Sequence, residues 1–228
     1  DGQKLSKRHG AVSVMDYPAK GYVRDAVVNY LARLGWSHGD DEVFSMEQFC
    51  AWFDLEHITP SAAQFNTEKL NWLNHEYIKK MAPEDLAREL TPYLIKQGLE
   101  LSAGPPVQQA ALLLRDRCPN LVEMAAAADY LYKRPVPEAA LISQHLADAA
   151  RPALAELLAA LREAAWTRAE IGTAIKTAVA KHALKMPQMM MPLRVLLTAQ
   201  TATPAVDAIM EVLGREESLA RLESLARA

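Results

Sequence analysis

The sequence predicts an all-α fold. Of its 228 residues 50% are apolar but only 7% aromatic. Alanine and leucine are abundant and β-branched runs are few, a composition that favours helix over strand. Apolar side chains recur at three- and four-residue spacing through most of the chain. The nearest thing to a strand, Val195-Leu196-Leu197, is too short to make one, and no fixed-period repeat is present.

Helices follow from period and caps. Tyr22 to Leu34 places Val23, Ala26, Val27, Tyr30, Leu31 and Leu34 on one stripe, with Gly35 as its stop. Ser45 and Gln48 form a capping box for a helix that would bury Met46, Phe49, Cys50 and Phe53. After the turn at Thr59-Pro60, Asn66 and Thr67 are candidate N-caps, and Leu70, Leu73, Tyr77, Ile78 and Met81 repeat at helical spacing. Pro83 reads as the first residue of a helix with Leu86, Leu90, Tyr93 and Leu94 inward and Gly98 at its end. The GPP loop leads to a helix over Val107 to Arg117, and Asn120 with Glu123 caps another over Leu121 to Tyr132. Pro135 and Pro137 interrupt the chain. Helices are then expected over Pro137 to His145, Pro152 to Trp166 and Thr167 to about Leu184. A further one starts at Thr203-Pro204 and closes at Gly214, before a short terminal helix.

The bulk numbers exclude several classes. A net charge of −3 gives no global case for a nucleic-acid partner, so any basic surface is local. The two cysteines, Cys50 and Cys118, form no CxxC, which argues against a disulfide framework or a zinc site. No signal peptide is recognisable, and no apolar run approaches the ~20 residues that span a bilayer. A reducing cytoplasm is the expected compartment. The six histidines are dispersed, and none shares metal-ligand spacing with another. His38-Gly39-Asp40-Asp41-Glu42 reads as a solvated acidic turn. No Ser/His/Asp or Cys/His arrangement is arguable from spacing.

The first ten residues, DGQKLSKRHG, have no apolar period and carry three lysine or arginine cations beside a serine. Lysines on a short loop suit a triphosphate whose pyrophosphate is leaving, where positive charge strengthens as the transition state forms. In order, Lys4-Leu5-Ser6-Lys7-Arg8 resembles the KMSKS-type signature of class I aminoacyl-tRNA synthetases, in the form typical of the bacterial glutamyl-tRNA synthetase family. GAVSVMDY from Gly10, NYLARLGWSHGDDEVFSMEQF from Asn29, FNTEKLNWLNHEYIK from Phe65, LLRDRCPNLVEMA from Leu113 and MPLRVLLTAQTATPAVDAIMEVLG from Met191 resemble the same family in the same order.

That resemblance implies a tRNA-binding part whose Rossmann catalytic domain lies upstream of Asp1. The intact enzyme would activate glutamate with ATP and Mg²⁺ and esterify it to tRNA(Glu), as a monomer. It also implies that Lys7, matching the second lysine of the signature, contacts ATP. Leu5 stands for the consensus methionine and Arg8 for the final serine. By resemblance, residues 1–82 hold the signature loop and the stem-contact helices. Residues 83–137 and 138–228 then form two helical anticodon-binding subdomains. A glutaminyl relative, with β-barrel anticodon domains, fits the helical patterning after Pro83 poorly. A helical protein-interaction module without nucleic-acid binding is the alternative from another class.

Candidate RNA contacts are few. Unpaired bases are read by stacking and edge hydrogen bonds, for which a planar guanidinium serves both ways. Arg115 and Arg117 are the candidates by type, and the resemblance, which places a base-discriminating arginine near here, favours Arg117. Lys69 and Asn71 are candidate tRNA contacts, whereas Trp72 and Trp36 read as packing. Lys133 and Arg134, at a helix end, suit either a phosphate or the helix dipole. Ile171 to Val206 holds no Asp or Glu but carries Lys176, Lys181, Lys185 and Arg194 beside His182, a candidate backbone-binding face. Met189, Met190 and Met191 read as core filler, and the TG of relatives is here Thr198-Ala199.

In the full-length enzyme, Lys7→Ala is expected to depress adenylate formation, measured by ATP–pyrophosphate exchange, and to leave tRNA affinity nearly intact. Comparable loss of tRNA binding would show that the loop serves the RNA.

Overall fold

The computed structural model describes residues 13–59 and 64–223. Among these are thirteen α-helices and several short 3-10 turns. The only strand-like pairing described is one antiparallel bridge between Trp36 and Ile58. The all-α expectation is met. No described helix is long and apolar enough to cross a membrane.

The chain divides into two compact units. The first runs up to Gln97 and takes in Leu114–Ala127; the second takes Gly98–Leu113 and Ala128–Ala228. Compactness thus gathers residues that the sequence-based segments, split at 82 and 137, keep apart by function.

In the first unit, α1 (Arg24–Arg33) starts two residues later than its apolar stripe. Gly35 is not its left-handed stop. The C-cap Leu34 stays right-handed, and the amides of Gly35 and Trp36 return to the Ala32 carbonyl. The Ser45–Gln48 capping box opens α2 (Met46–Trp52), yet Cys50 faces outward, and Phe53, though partly exposed, lays its ring 5.8 Å from that of Trp36. The inner rings of this helix gather with Phe44 on the buried Trp36, with centroids 5.4 Å (Phe49) and 5.7 Å (Phe44) away. Asn66 caps α3 (Thr67–Lys80) by accepting from the Lys69 amide at 3.0 Å. Pro83 opens α4 (Pro83–Lys96), whose Leu86, Leu90 and Leu94 are completely buried. Fully burying a leucine contributes roughly 1.5–3 kcal/mol. Helix α1 packs along α3 around Tyr17, Tyr22, Val27, Tyr30, Leu70 and Leu73.

α5 (Val107–Leu114) ends three residues before the sequence-based estimate, leaving Arg115–Arg117 in a turn. The helix expected over Leu121 to Tyr132 is two: α6 (Leu121–Ala127), in the first unit and packed on α4, and α7 (Asp129–Tyr132), in the second. The division falls at Ala128, where the chain passes from one unit to the other.

The second unit continues with α8 (Ala139–His145), α9 (Arg151–Glu163), α10 (Arg168–Lys181), α11 (Met186–Thr198), α12 (Val206–Leu213) and α13 (Arg215–Glu223). Helix α11 is unpredicted from sequence because two prolines fall in it. Pro187 sits in the first turn, where no amide is needed, and Pro192 lies inside it, buried. Met189 is wholly buried and Met190 packs against the same core, as the filler reading expects. Ala199 ends α11 in the left-handed region (φ 55°), a conformation that glycine adopts more readily.

One buried cation organises this unit. Arg221 donates from Nη1 to the carbonyls of Tyr130 (2.8 Å) and Leu197 (2.6 Å), and from Nε to Glu217 (2.7 Å). It thereby ties α7, α11 and α13 together. Glu217 also accepts the Arg134 guanidinium, whose hydrogen bonds hold its carboxyl below the ordinary carboxylate value of 4.5. Because the folded chain lowers that value, the stabilisation is present above pH 4.5 and is lost as pH falls through the folded-state value. Glu217→Gln is expected to lower Tm at pH 7, with the gap from the parent chain narrowing as pH falls below 4.5, measured by thermal melts across pH. A gap independent of pH would show that the carboxylate charge contributes nothing.

Candidate nucleic-acid interface

Residues 115–120 connect α5 to α6 and carry the favoured arginine. A connection of this kind has few hydrogen bonds of its own; here Arg117 N–H returns to the Leu114 carbonyl at 3.0 Å. Other elements of the same unit supply the rest. His75 of α3 meets the Arg115 carbonyl from Nε2 at 2.9 Å, which requires the proton on that nitrogen. Its neighbour Asn74, fully buried, accepts from the Val23 amide at 2.8 Å and donates to the Pro119 carbonyl at 2.6 Å. Leu121 N–H donates to the Gly21 carbonyl at 2.9 Å. Gly21 has a φ of +83°, and a Cβ there would come within 2.5 Å of the Val122 nitrogen, so only glycine fits. Asn120 caps α6 through the Glu123 amide at 2.9 Å.

Within this frame Cys118 points inward, and burial pushes its thiol up to about 11. Arg117 points outward and has no ion pair among the described residues. Arg115 is half-buried, with its guanidinium 3.9 Å from Asp116. The turn therefore offers one free guanidinium on a fixed backbone.

The other candidates fare differently. Lys4, Leu5, Ser6, Lys7 and Arg8 lie outside the described residues. Lys69 grips both Glu42 oxygens at 2.7 and 2.8 Å and lies 4.0 Å over the Trp72 ring. Trp72, read as packing, is 40% exposed and carries that cation. The Asn71 side-chain carbonyl accepts the Tyr22 hydroxyl at 2.7 Å. Lys133 pairs with Asp129 at 3.2 Å and Arg134 with Glu217, so both helix-end cations have carboxylate partners. In the acid-free run, Glu156 of α9 reaches across to Lys181 (2.7 Å) and His182 (2.9 Å). Arg194 donates to the Thr203 hydroxyl at 3.0 Å. Lys176 and Lys185 remain exposed without an ion pair among the described residues. In the acidic turn, His38 contacts Asp41 at 3.2 Å and stacks on Trp52 at 4.1 Å.

A family model described as the anticodon binding domain matches residues 85–226. The chain belongs to the anticodon-binding domain family. A second model, the catalytic domain of class I tRNA synthetases (E and Q), matches residues 1–72. Among curated relatives, the glutamate–tRNA ligase of Janthinobacterium sp. is 54% identical and that of Azoarcus sp. 56%, each over 97% of this chain and 48% of the relative. The chain thus spans about half the length of the relatives it matches. A solved glutamate–tRNA ligase from Elizabethkingia meningosepticum superposes with a TM-score of 0.85 at 24% identity, over 100% of this chain and 49% of that one. The enzyme from Elizabethkingia anophelis gives 0.81 at 25% identity, over 99% and 48%. The described residues of the anticodon-binding match are helical and show no β-barrel of the kind expected for a glutaminyl relative.

The sequence reading missed Asn74 and His75 as ties to the 115–120 turn. Their only sequence signal is a pair of polar residues inside an apolar period. Asn74→Ala leaves the Val23 amide and the Pro119 carbonyl without partners, at about 1–3 kcal/mol per buried group. A clear fall in the chain's Tm is expected on thermal denaturation, and an unchanged Tm would mean that other groups or water replace the amide.

Proposed function

We propose that this chain is the tRNA-binding part of a glutamate–tRNA ligase, which activates glutamate with ATP and transfers it to tRNA(Glu). The observation that carries the reading is the exposed Arg117 guanidinium, without an ion pair among the described residues, on a clamped turn inside the segment matched by the anticodon-binding family. A guanidinium can stack on an unpaired base and hydrogen-bond to its edge at once. Lys176 and Lys185 are the cations of the second unit best suited to phosphates, because no carboxylate among the described residues pairs with them. For Lys69, Lys133, Arg134 and Lys181, RNA would have to compete with Glu42, Asp129, Glu217 and Glu156. Arg115, Asn71 and Arg194 rank below Arg117 because each already has a protein contact.

Catalysis in this reading belongs to a Rossmann domain of the same protein, a cytoplasmic monomer. ATP would meet the signature loop, with Lys7 as its contact and Mg²⁺ arriving with the nucleotide. Positive charge there would stabilise the departing pyrophosphate. The 228 residues by themselves are expected to bind RNA without forming glutamyl-adenylate.

Titration of labelled tRNA(Glu) with the chain at two salt concentrations tests the reading. Affinity is expected to fall steeply as salt rises, because phosphate contacts release counterions. Arg117→Ala is expected to cost ~1–3 kcal/mol of affinity, the scale of a bidentate base contact. Absent or salt-insensitive binding would favour a protein-interaction module instead. An unchanged affinity in the variant would remove Arg117 alone from the interface.

A further inference from the structure

An arginine reads a base only if its backbone is held still, because the side chain itself is long and rotatable. The turn that carries Arg117 has little stiffness of its own. It lies between the last residue of α5 and the first of α6, with one internal hydrogen bond from Arg117 N–H. Two consecutive residues of α3, some forty positions earlier, bracket it. His75 holds the carbonyl of Arg115, two residues before Arg117, and Asn74 holds the carbonyl of Pro119, two residues after. The same Asn74 side chain takes the Val23 amide, so the bracket is anchored to the start of α1 as well as to α3. Buried Cys118 turns its own side chain into the protein between the two ties.

We propose that His75 and Asn74 are positioning residues for base recognition. Helix α3, through the His75 N–H on the Arg115 carbonyl and the Asn74 amide on the Pro119 carbonyl, sets where the Arg117 guanidinium is presented. Discrimination among anticodons then depends on side chains that are committed to backbone and not to RNA. This rests on the assignment of Arg117 as a base-contacting residue. Loss of a tie need not unfold the unit, since Gly21, Asn120 and Cys118 still hold the connection. It would instead loosen the geometry on which a fork-shaped contact depends.

The test compares the affinities of the 228-residue chain for tRNA(Glu) and for the same transcript with one anticodon base replaced. His75→Phe keeps the ring shape but loses the N–H; His75→Gln restores an N–H at similar reach. The cognate-to-substituted affinity ratio is expected to fall about five- to tenfold in His75→Phe, the scale of one hydrogen bond. His75→Gln is expected to recover most of it. Combining His75→Phe with Arg117→Ala is expected to lower the ratio no further than Arg117→Ala does alone. Should the phenylalanine variant fail to fold, His75→Ala, which adds no bulk, reads the same ratio. A purely structural role would lower Tm and weaken both transcripts equally, and an unchanged ratio in the His75 variants, with Arg117→Ala still lowering it, overturns the positioning role alone. A ratio unmoved by Arg117→Ala overturns the underlying assignment, and with it the proposal.

Discussion

Where helices pack without a sheet there is no ladder of backbone hydrogen bonds between distant segments, so helix ends and connections must find partners elsewhere. Here buried polar side chains supply them. Asn29 donates to the Glu42 carbonyl and accepts from the Phe44 amide and the Tyr77 hydroxyl, fastening the stretch before α2 to α1 and α3. Asn74 does the same for Val23 and Pro119, and Arg221 for the C-terminal carbonyls of α7 and α11. All three are nearly or wholly inaccessible. Their burial is tolerable only because their polar atoms are matched, which makes each a strict specification of which segments meet.

The charge distribution follows from the same economy of contacts. Three cations that looked available in sequence are paired with carboxylates from distant positions: Lys69 with Glu42, Lys181 with Glu156, Arg134 with Glu217. Exposed pairs of this kind contribute little to stability, but they cancel local field. Arg117, Lys176 and Lys185, like the exposed Lys20, Lys80 and Lys96, have no ion pair among the described residues, so the positive potential of an otherwise acidic chain is concentrated at these points. For an RNA partner, that concentration favours register over general attraction.

The alternation of rigid and adaptable packing is also legible. Leucines dominate the fully buried positions of α4 and α9, whereas α11 fills its part of the core with Met189 and Met190 around an internal proline. Unbranched thioethers accommodate a helix that lacks one of its hydrogen bonds. The left-handed Ala199 that ends this helix marks a second local compromise, since alanine adopts that conformation less readily than glycine.

By itself the sequence determined what is local or short in range. The all-α class, the caps at Ser45, Asn66, Asn120 and Thr167, the start at Pro83, the buried faces of α3 and α4 and the family resemblance all follow from neighbours within a turn or two, or from residue order. Tertiary structure alone decided that α11 is a helix despite its prolines, that Cys50 faces outward, and which cations have no ion pair among the described residues. It also decided that Leu114–Ala127 folds with residues before Gln97, which brings α3 against the turn of Arg117. The reason is physical: periodicity and caps are encoded by spacings of three or four residues, whereas a buried amide or a charge pair joins positions some 25 to 90 apart, whose meeting no local pattern specifies.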